Sequence, residues 1–261
     1  SLARTPYKIK LIGDKSLSKR DFSRIIKPLQ KFGVTFYPKE KKTLPIYIKG
    51  TNFLRPIKFQ DNIGSAQIKT SICLAALNAP GETIIKSKRC RDHTEKLFKF
   101  LKIPIKIKKE KNFDLIKIKG LKKFQSFDYH IPADPSSSAF IVMLTILSKN
   151  SSILIKNCLV NENRIGFYKI LKQMGAKIIF KNKKIYKGEK NADIKIVSAK
   201  NIKSINCPTK LNSGAIDEFL VIFLVAARAK GVSYFKDLSE LNQKESPRLK
   251  WAKKILTKLG I

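Results

Sequence analysis

The sequence predicts an α/β protein, α+β in the mixing of its strands, built from repeated βαβαββ units that form two lobes. Three observations carry this reading: two unlike kinds of helix recur, β-branched segments follow them, and a glycine ends successive amphipathic helices.

The amphipathic helices come first in the chain. Phe22, Ile25, Ile26 and Leu29 fall at i, i+3, i+4 and i+7, which puts them on one helical face, and Gly33 supplies the stop. Leu97, Phe98 and Leu101 make a shorter version. Phe167, Ile170, Leu171 and Met174 repeat the spacing before Gly175, and Ala252, Ile255, Leu256 and Leu259 repeat it before Gly260. Strand-like segments rich in β-branched or aromatic residues follow three of these helices, at 34–37, 103–107 and 176–180.

The second kind of helix is apolar on nearly every side. It is predicted at 65–78, 135–148 and 214–230, and strand segments such as 83–85 and 152–155 follow it. Such uniform apolarity implies burial on most faces. The unit is therefore strand, buried helix, strand, amphipathic helix, strand, strand. Its period of roughly 70 to 85 residues is too long for a solenoid and suits compact lobes with internal pseudo-symmetry.

Bulk properties narrow the classes. The chain has 261 residues, 43% of them hydrophobic, enough for substantial cores. It has no uncharged apolar run of about 18 residues and no signal-peptide pattern, so neither a membrane span nor export is expected. Cys73, Cys90, Cys158 and Cys207 lie far apart and not in metal-ligand spacing, which fits a reduced, cytoplasmic protein. The formal charge of +36 would suit a nucleic-acid partner. However, only nine of the 55 basic residues are arginine, and the lysines are spread along the chain amid abundant isoleucine, a bias that an AT-rich genome produces. No RNP sequence, zinc finger or basic zipper concentrates the charge, so a basic nucleic-acid binder stands as the competing reading.

Arginines recur near the amphipathic helix starts: Arg20, Arg91, Arg164 and Arg248. A cation at a helix N-terminus opposes the macrodipole and costs about 0.3–1 kcal/mol unless an anion sits there too. Bound phosphate removes the conflict, because free N–H groups, dipole and guanidinium then converge on one anion. Arg164 is read as the exception, an arginine that packs its stem and meets water. Trp251 is read as core.

Acids are few. Asp217 and Glu218 interrupt the apolar run Gly214-Ala215-Ile216-Asp217-Glu218-Phe219-Leu220, where they are either helix-capping acids or functional ones. Lys244-Glu245-Ser246-Pro247-Arg248 packs a lysine, a carboxylate and a guanidinium into five residues, a place for anion binding with proton transfer.

That last stretch resembles the Lys-Glu-Ser-Asp-Arg signature of the enolpyruvylshikimate-phosphate synthases, and Ile216-Asp217-Glu218 is similar to that family's catalytic-aspartate segment. Four further segments match: Gly13-Asp14-Lys15-Ser16-Leu17-Ser18-Lys19-Arg20, Gly64-Ser65-Ala66-Gln67-Ile68-Lys69-Thr70-Ser71, Arg91-Asp92-His93-Thr94-Glu95 and Asp134-Pro135-Ser136-Ser137-Ser138-Ala139-Phe140. The resemblance covers essentially the whole chain, and the Ser-Ala-Gln form looks like the bacterial, glyphosate-tolerant branch. The departures are Asp21 for a usual proline, Asn242 for a common arginine and Pro247 for the aspartate of the signature.

The resemblance implies transfer of the enolpyruvyl group of phosphoenolpyruvate to the 5-hydroxyl of shikimate 3-phosphate, with release of phosphate and with no metal or organic cofactor. The hydroxyl adds to the protonated double bond, and elimination from the tetrahedral ketal phosphate restores the enol ether. Arg20 and Arg248 would hold phosphoenolpyruvate, and Ser65, Ala66 and Gln67 would contact shikimate 3-phosphate. Arg91 is a further phosphate candidate. Asp217 would take the hydroxyl proton, Lys244 would meet shikimate phosphate and the developing charge, and Glu245 would move protons at the methylene carbon. The family's substrates bind between two lobes. The crossover is placed near Ile131, so residues 1–131 and 132–261 are each read as part of one lobe, incomplete because the family's terminal segments do not appear. A monomer acting on small molecules is expected. UDP-N-acetylglucosamine enolpyruvyl transferase is the nearest alternative, but its reactive-cysteine loop is not seen.

Overall fold

The computed structural model describes residues 2–243 and 246–261. The chain divides into two compact units, Ser1–Phe127 and Asp128–Ile261. The first carries β1 (Lys8–Leu11), α1 (Ser23–Lys31), β2 (Thr35–Tyr37) and β3 (Ile46–Lys49). These are followed by β4 (Lys58–Asp61), α2 (Ala66–Ala76), β5 (Glu82–Lys88), α3 (His93–Phe100), β6 (Ile105–Lys109) and β7 (Phe113–Lys119). The second carries α4 (Pro135–Leu147), β8 (Ser152–Leu159), α5 (Gly166–Gln173), β9 (Lys177–Tyr186), β10 (Glu189–Val197), α6 (Phe219–Ala226) and α7 (Arg248–Lys258).

One βαβαββ unit is complete, from β4 through β7, with strand order β4-β5-β7-β6. Its first pair is parallel and the others antiparallel. The three-stranded part of that order recurs as β1-β3-β2 and as β8-β10-β9. Ahead of α4, Ala133 makes a single parallel bridge to Cys158 of β8, the place that β4 takes beside β5. Parallel bridges of Lys203 with Lys230 and of Asn206 with Tyr234 open the same pattern around α6.

α5 and α6 show the burial each helix type's pattern calls for. In α5, Phe167, Tyr168, Ile170 and Leu171 are buried, and each such side chain contributes about 1.5–3 kcal/mol of apolar burial. α6 has no charged residue and buries Phe219, Val221, Ile222 and Val225. Gly33 and Gly175, at φ +102° and +99°, take the left-handed turn that ends α1 and α5. Each unit has its own core, one around Phe32, Ile72, Ile85 and Ile116 and the other around Val142, Phe167, Ile194 and Phe219.

Three expectations are corrected. The helix expected at 214–230 begins only at Phe219, with turns over 214–218. The backbone at Gly214 packs against Gly166 so closely that a Cβ on Gly166 would lie 2.7 Å from the Gly214 carbonyl carbon, a contact a turn permits. Trp251 is 48% exposed, not core, because α7 buries only Ala252 among its described residues. Arg164 does not meet water: it is 7% exposed and surrounded by acids. Among the described residues, no helix is long and apolar enough to cross a membrane. The four cysteines are free and buried.

Candidate active site

In the first unit the site is built where β4 turns into α2. Asp61, 2% exposed, ends β4 and accepts from the N–H groups of Ile63, Gly64 and Ser65 at 3.0, 3.2 and 2.9 Å. Its Oδ2 also accepts from the Ser87 hydroxyl at 3.1 Å. One carboxylate thus shapes the whole turn, and Gly64 takes φ +79° within it. Ser65 is the N-cap of α2, its hydroxyl accepting from the Ile68 N–H at 3.4 Å. Ala66 and Gln67 open the helix, so their N–H groups have no helical carbonyl to bond. Gln67 is exposed and Ser65 buried.

Behind this helix start lies a buried ion pair. Lys69 Nζ and Glu95 Oε1 are 2.6 Å apart, with side chains 1% and 4% exposed, and they tie α2 to α3. The hydroxyls of Thr70 and Thr94 add a bond of 2.8 Å between the same helices. Burial works against the Lys69 charge, but the charge and hydrogen bond of Glu95 together with those of Cys90 outweigh it, and the ammonium titrates above its usual range. Burial pushes the Glu95 carboxyl up, with Lys69 opposing. Burial also raises the Cys73 and Cys90 thiols beside the pair, so neither is an activated nucleophile.

Arg91 is partly exposed and precedes α3, whose N-cap is Asp92. Arg20 is exposed and lies not at a helix start but at the end of a 3₁₀ turn, Leu17–Lys19. Asp21 accepts from the Ser23 N–H at 2.6 Å at the entry to α1.

In the second unit, acids and arginines come together at the starts of α4, α6 and α7. Asp134 is the N-cap of α4 and accepts from the Ser137 N–H at 2.8 Å. Arg164 Nη2 donates to Asp134 Oδ1 at 2.9 Å and to the Ser136 hydroxyl at 2.6 Å. That hydroxyl donates to Glu218 Oε1 at 2.5 Å. Asp217 lies between two guanidiniums, with Arg248 Nη1 at 3.3 Å from Oδ1 and Arg164 Nη1 at 3.8 Å from Oδ2. Glu218 is 2% exposed and Asp217 a quarter exposed, so Glu218 is structural in position while Asp217 keeps a face toward solvent. Burial raises the Asp134 carboxyl, but bonds from Ser137 and Ser136 and the Arg164 charge outweigh it and hold it below its usual range.

Two of the expected residues, Lys244 and Glu245, lie outside the described residues. Of the others, the fold brings Ser65, Ala66 and Gln67 to one helix start, and Asp217 to Arg248. Sequence reasoning missed the part played by Arg164, Asp134 and Ser136. The signal was present: Asp134-Pro135 is a helix-start pair, and Arg164 shares a repeat position with the other arginines. It also passed over Lys69 and Glu95, whose mark is a charge on an otherwise apolar face.

The sequence pattern of the family described as EPSP synthase (3-phosphoshikimate 1-carboxyvinyltransferase) matches residues 1–261. A 3-phosphoshikimate 1-carboxyvinyltransferase of Petrotoga mobilis is 35% identical over 254 residues, covering 96% of this chain and 58% of the relative. The solved EPSP synthase of Acinetobacter baumannii superposes with a TM-score of 0.81 at 34% identity, over 97% of this chain and 56% of that one. The enolpyruvyl transferase NikO of Streptomyces tendae shares the fold, with a TM-score of 0.64 at 10% identity over 88% of this chain and 52% of its own. The chain spans little more than half the length of the relatives it matches. With the family's pattern running through all 261 residues and its fold reproduced, the chain belongs to the EPSP synthase family.

Proposed function

We propose that this chain supplies the central part of an enzyme that transfers the enolpyruvyl group of phosphoenolpyruvate to the 5-hydroxyl of shikimate 3-phosphate and releases phosphate. This is a step of the shikimate pathway toward aromatic amino acids, carried out by a cytoplasmic monomer. The observation that carries the reading is Asp217, held between Arg164 and Arg248 and a quarter exposed, in a chain that matches the family throughout.

Each described residue then has a task suited to its place. The N-terminus of α2 offers the N–H groups of Ala66 and Gln67, the Gln67 amide and the Ser65 hydroxyl to shikimate 3-phosphate, with the helix dipole favouring the anion. Arg91 is a further phosphate ligand, and Arg20 and Arg248 neutralise phosphoenolpyruvate. Asp217 accepts the hydroxyl proton, its orientation fixed by the two guanidiniums. Lys244 steadies the charge that develops on the transferring group, and Glu245 moves the methylene proton. Residues 1–131 and 132–261 are read as parts of two lobes.

The test is phosphate release from phosphoenolpyruvate and shikimate 3-phosphate, comparing this chain with a form extended to the length of its relatives. Release that needs both substrates and is lost in Asp217→Ala bears the proposal out. Silence of the extended form, or turnover unchanged in Asp217→Ala, overturns it.

A further inference from the structure

Away from these residues, the second unit contains a cavity of 470 Å³ between α5 and the β9–β10 hairpin. That volume lies within the roughly 300–1,000 Å³ of small-molecule sites. Val160 and Ile165, both buried, form its floor with Phe180, and the exposed side chain of Ile185 extends the apolar wall. The rim is cationic: Lys172, Lys183, Lys184 and Lys190 all line it. Lys172 holds its ammonium 5.6 Å from the centre of the Phe180 ring. A fifth lysine, Lys169, is paired with Glu162 at 2.8 Å, and among the described residues that glutamate is the only carboxylate of the lining.

One buried polar atom in the wall lacks a partner. Asn191 is 2% exposed, lines the cavity beside its cross-strand neighbour Lys184, and its Oδ1 has no hydrogen-bond partner among the described residues. A buried acceptor left unsatisfied is destabilising, and a bound donor removes that cost.

We infer that this cavity is a binding site for a small aromatic carboxylate that carries a hydroxyl or amine donor. The ring lies on the floor against Phe180, the carboxylate meets the lysine rim, and the donor reaches Asn191. Charge complementarity selects the anion, and the apolar floor selects an aromatic body over a free phosphate. The site is independent of the enolpyruvyl reading, since none of its residues belongs to the proposed active site.

The experiment titrates the 261-residue chain with 4-hydroxyphenylacetate, followed by ligand-observed NMR and calorimetry at physiological salt. A Kd of about 1 mM or tighter is expected. Phenylacetate, which lacks the donor, and 4-hydroxyphenethyl alcohol, which lacks the carboxylate, should each bind about tenfold more weakly. The double charge reversal Lys183→Glu with Lys184→Glu, both on exposed β9 positions, should weaken binding at least tenfold, about the loss of one charge-assisted contact. The same reversal at Lys106 and Lys108, exposed on β6 in the other unit, should leave it unchanged. No binding by the parent chain, or equal losses in the two double variants, would overturn the site. Equal binding of phenylacetate would overturn the part given to Asn191.

Discussion

The two units open their buried helices differently, although both use the same repeat. α2 begins with the neutral cap Ser65, whereas α4 begins with Asp134 and α6 with Glu218 as N-cap residue. The positive end of α4 is therefore already matched by the chain's own carboxylate, and Arg164 is committed to that carboxylate and to Ser136. At α2 the Asp61 carboxylate is bonded to the N–H groups of Ile63, Gly64 and Ser65 rather than to those of Ala66 and Gln67, and the arginine of the corresponding repeat position, Arg91, is partly exposed. A repeat can thus spend one copy on holding itself together and keep another for a ligand. Helix-terminal chemistry, more than the fold, tells the two apart.

If the division is real, variants in the two units should fail in different ways. The largest effect is expected in the second unit: Asp217→Ala, in a form extended to the relatives' length, should lower kcat by about 10²–10⁴. Gln67→Ala in the same form should act mainly on the KM for shikimate 3-phosphate. Steady-state phosphate release distinguishes these, and a kcat loss shared by both variants would erase the contrast.

Next in size is the structural role of the second unit's arginine. Arg164→Met removes the guanidinium that lies 3.9 Å from the buried Glu218 carboxylate and leaves an apolar side chain in its place among Asp134, Asp217 and Glu218, and should cost about 3–5 kcal/mol. Arg91→Met, at a partly exposed position, should cost about 1 kcal/mol or less. Urea unfolding of both decides it, and similar losses would mean that Arg91 is as structural as Arg164.

The first unit has a buried pair of its own, and pH separates it from the acidic cluster. Lys69→Met should cost about 3 kcal/mol at neutral pH, because Glu95 stays buried without its cation. Burial already raises the Glu95 carboxyl above its ordinary 4.5. A raised folded pKa gives stability that is present below the unfolded value and lost as pH rises through the folded one. The deficit of the variant should therefore shrink as pH falls toward 4.5, and a deficit independent of pH would place the loss in packing instead.

Much of this arrangement was legible in the sequence. The amphipathic spacing located all four helices, and α1, α3 and α5 bury residues of the face it marks, whereas α7 buries only Ala252 of its face and leaves Ile255 and Leu259 exposed; Gly33 and Gly175 do end helices. The helix expected from 214 was misjudged because an apolar run fixes burial but not backbone: the Gly214–Gly166 approach, a contact between distant residues, holds 214–218 in turns. Arg164 was misread for a related reason. Its exposure depends on Asp134, Ser136 and Glu218, which lie 28 to 54 positions away and are brought near only by the packing of α4, α5 and α6. Local pattern located the helix starts, but which of them is internally satisfied is a tertiary property.

The smallest expected change gives the sharpest test of the helix-start argument. Asp134→Ser gives α4 the same neutral cap as α2 and removes the charge that meets Arg164, at a cost of about 1 kcal/mol. Because the folded Asp134 titrates below its ordinary 3.8, its contribution is present above that value and lost as pH falls through the folded pKa. The difference between parent and variant should accordingly hold down to about pH 4 and close only below 3.8. With its carboxylate gone, the start of α4 offers an anion a place of the kind proposed at α2, beside Arg164, which still faces Asp217 and Glu218. Sulfate should then stabilise the variant more than the parent at matched ionic strength, read as the change in Tm on replacing chloride. An equal response of the two proteins would mean that the cap residue does not decide which helix start takes an anion, and the distinction between the units would have to rest on Arg91 and Arg164 alone.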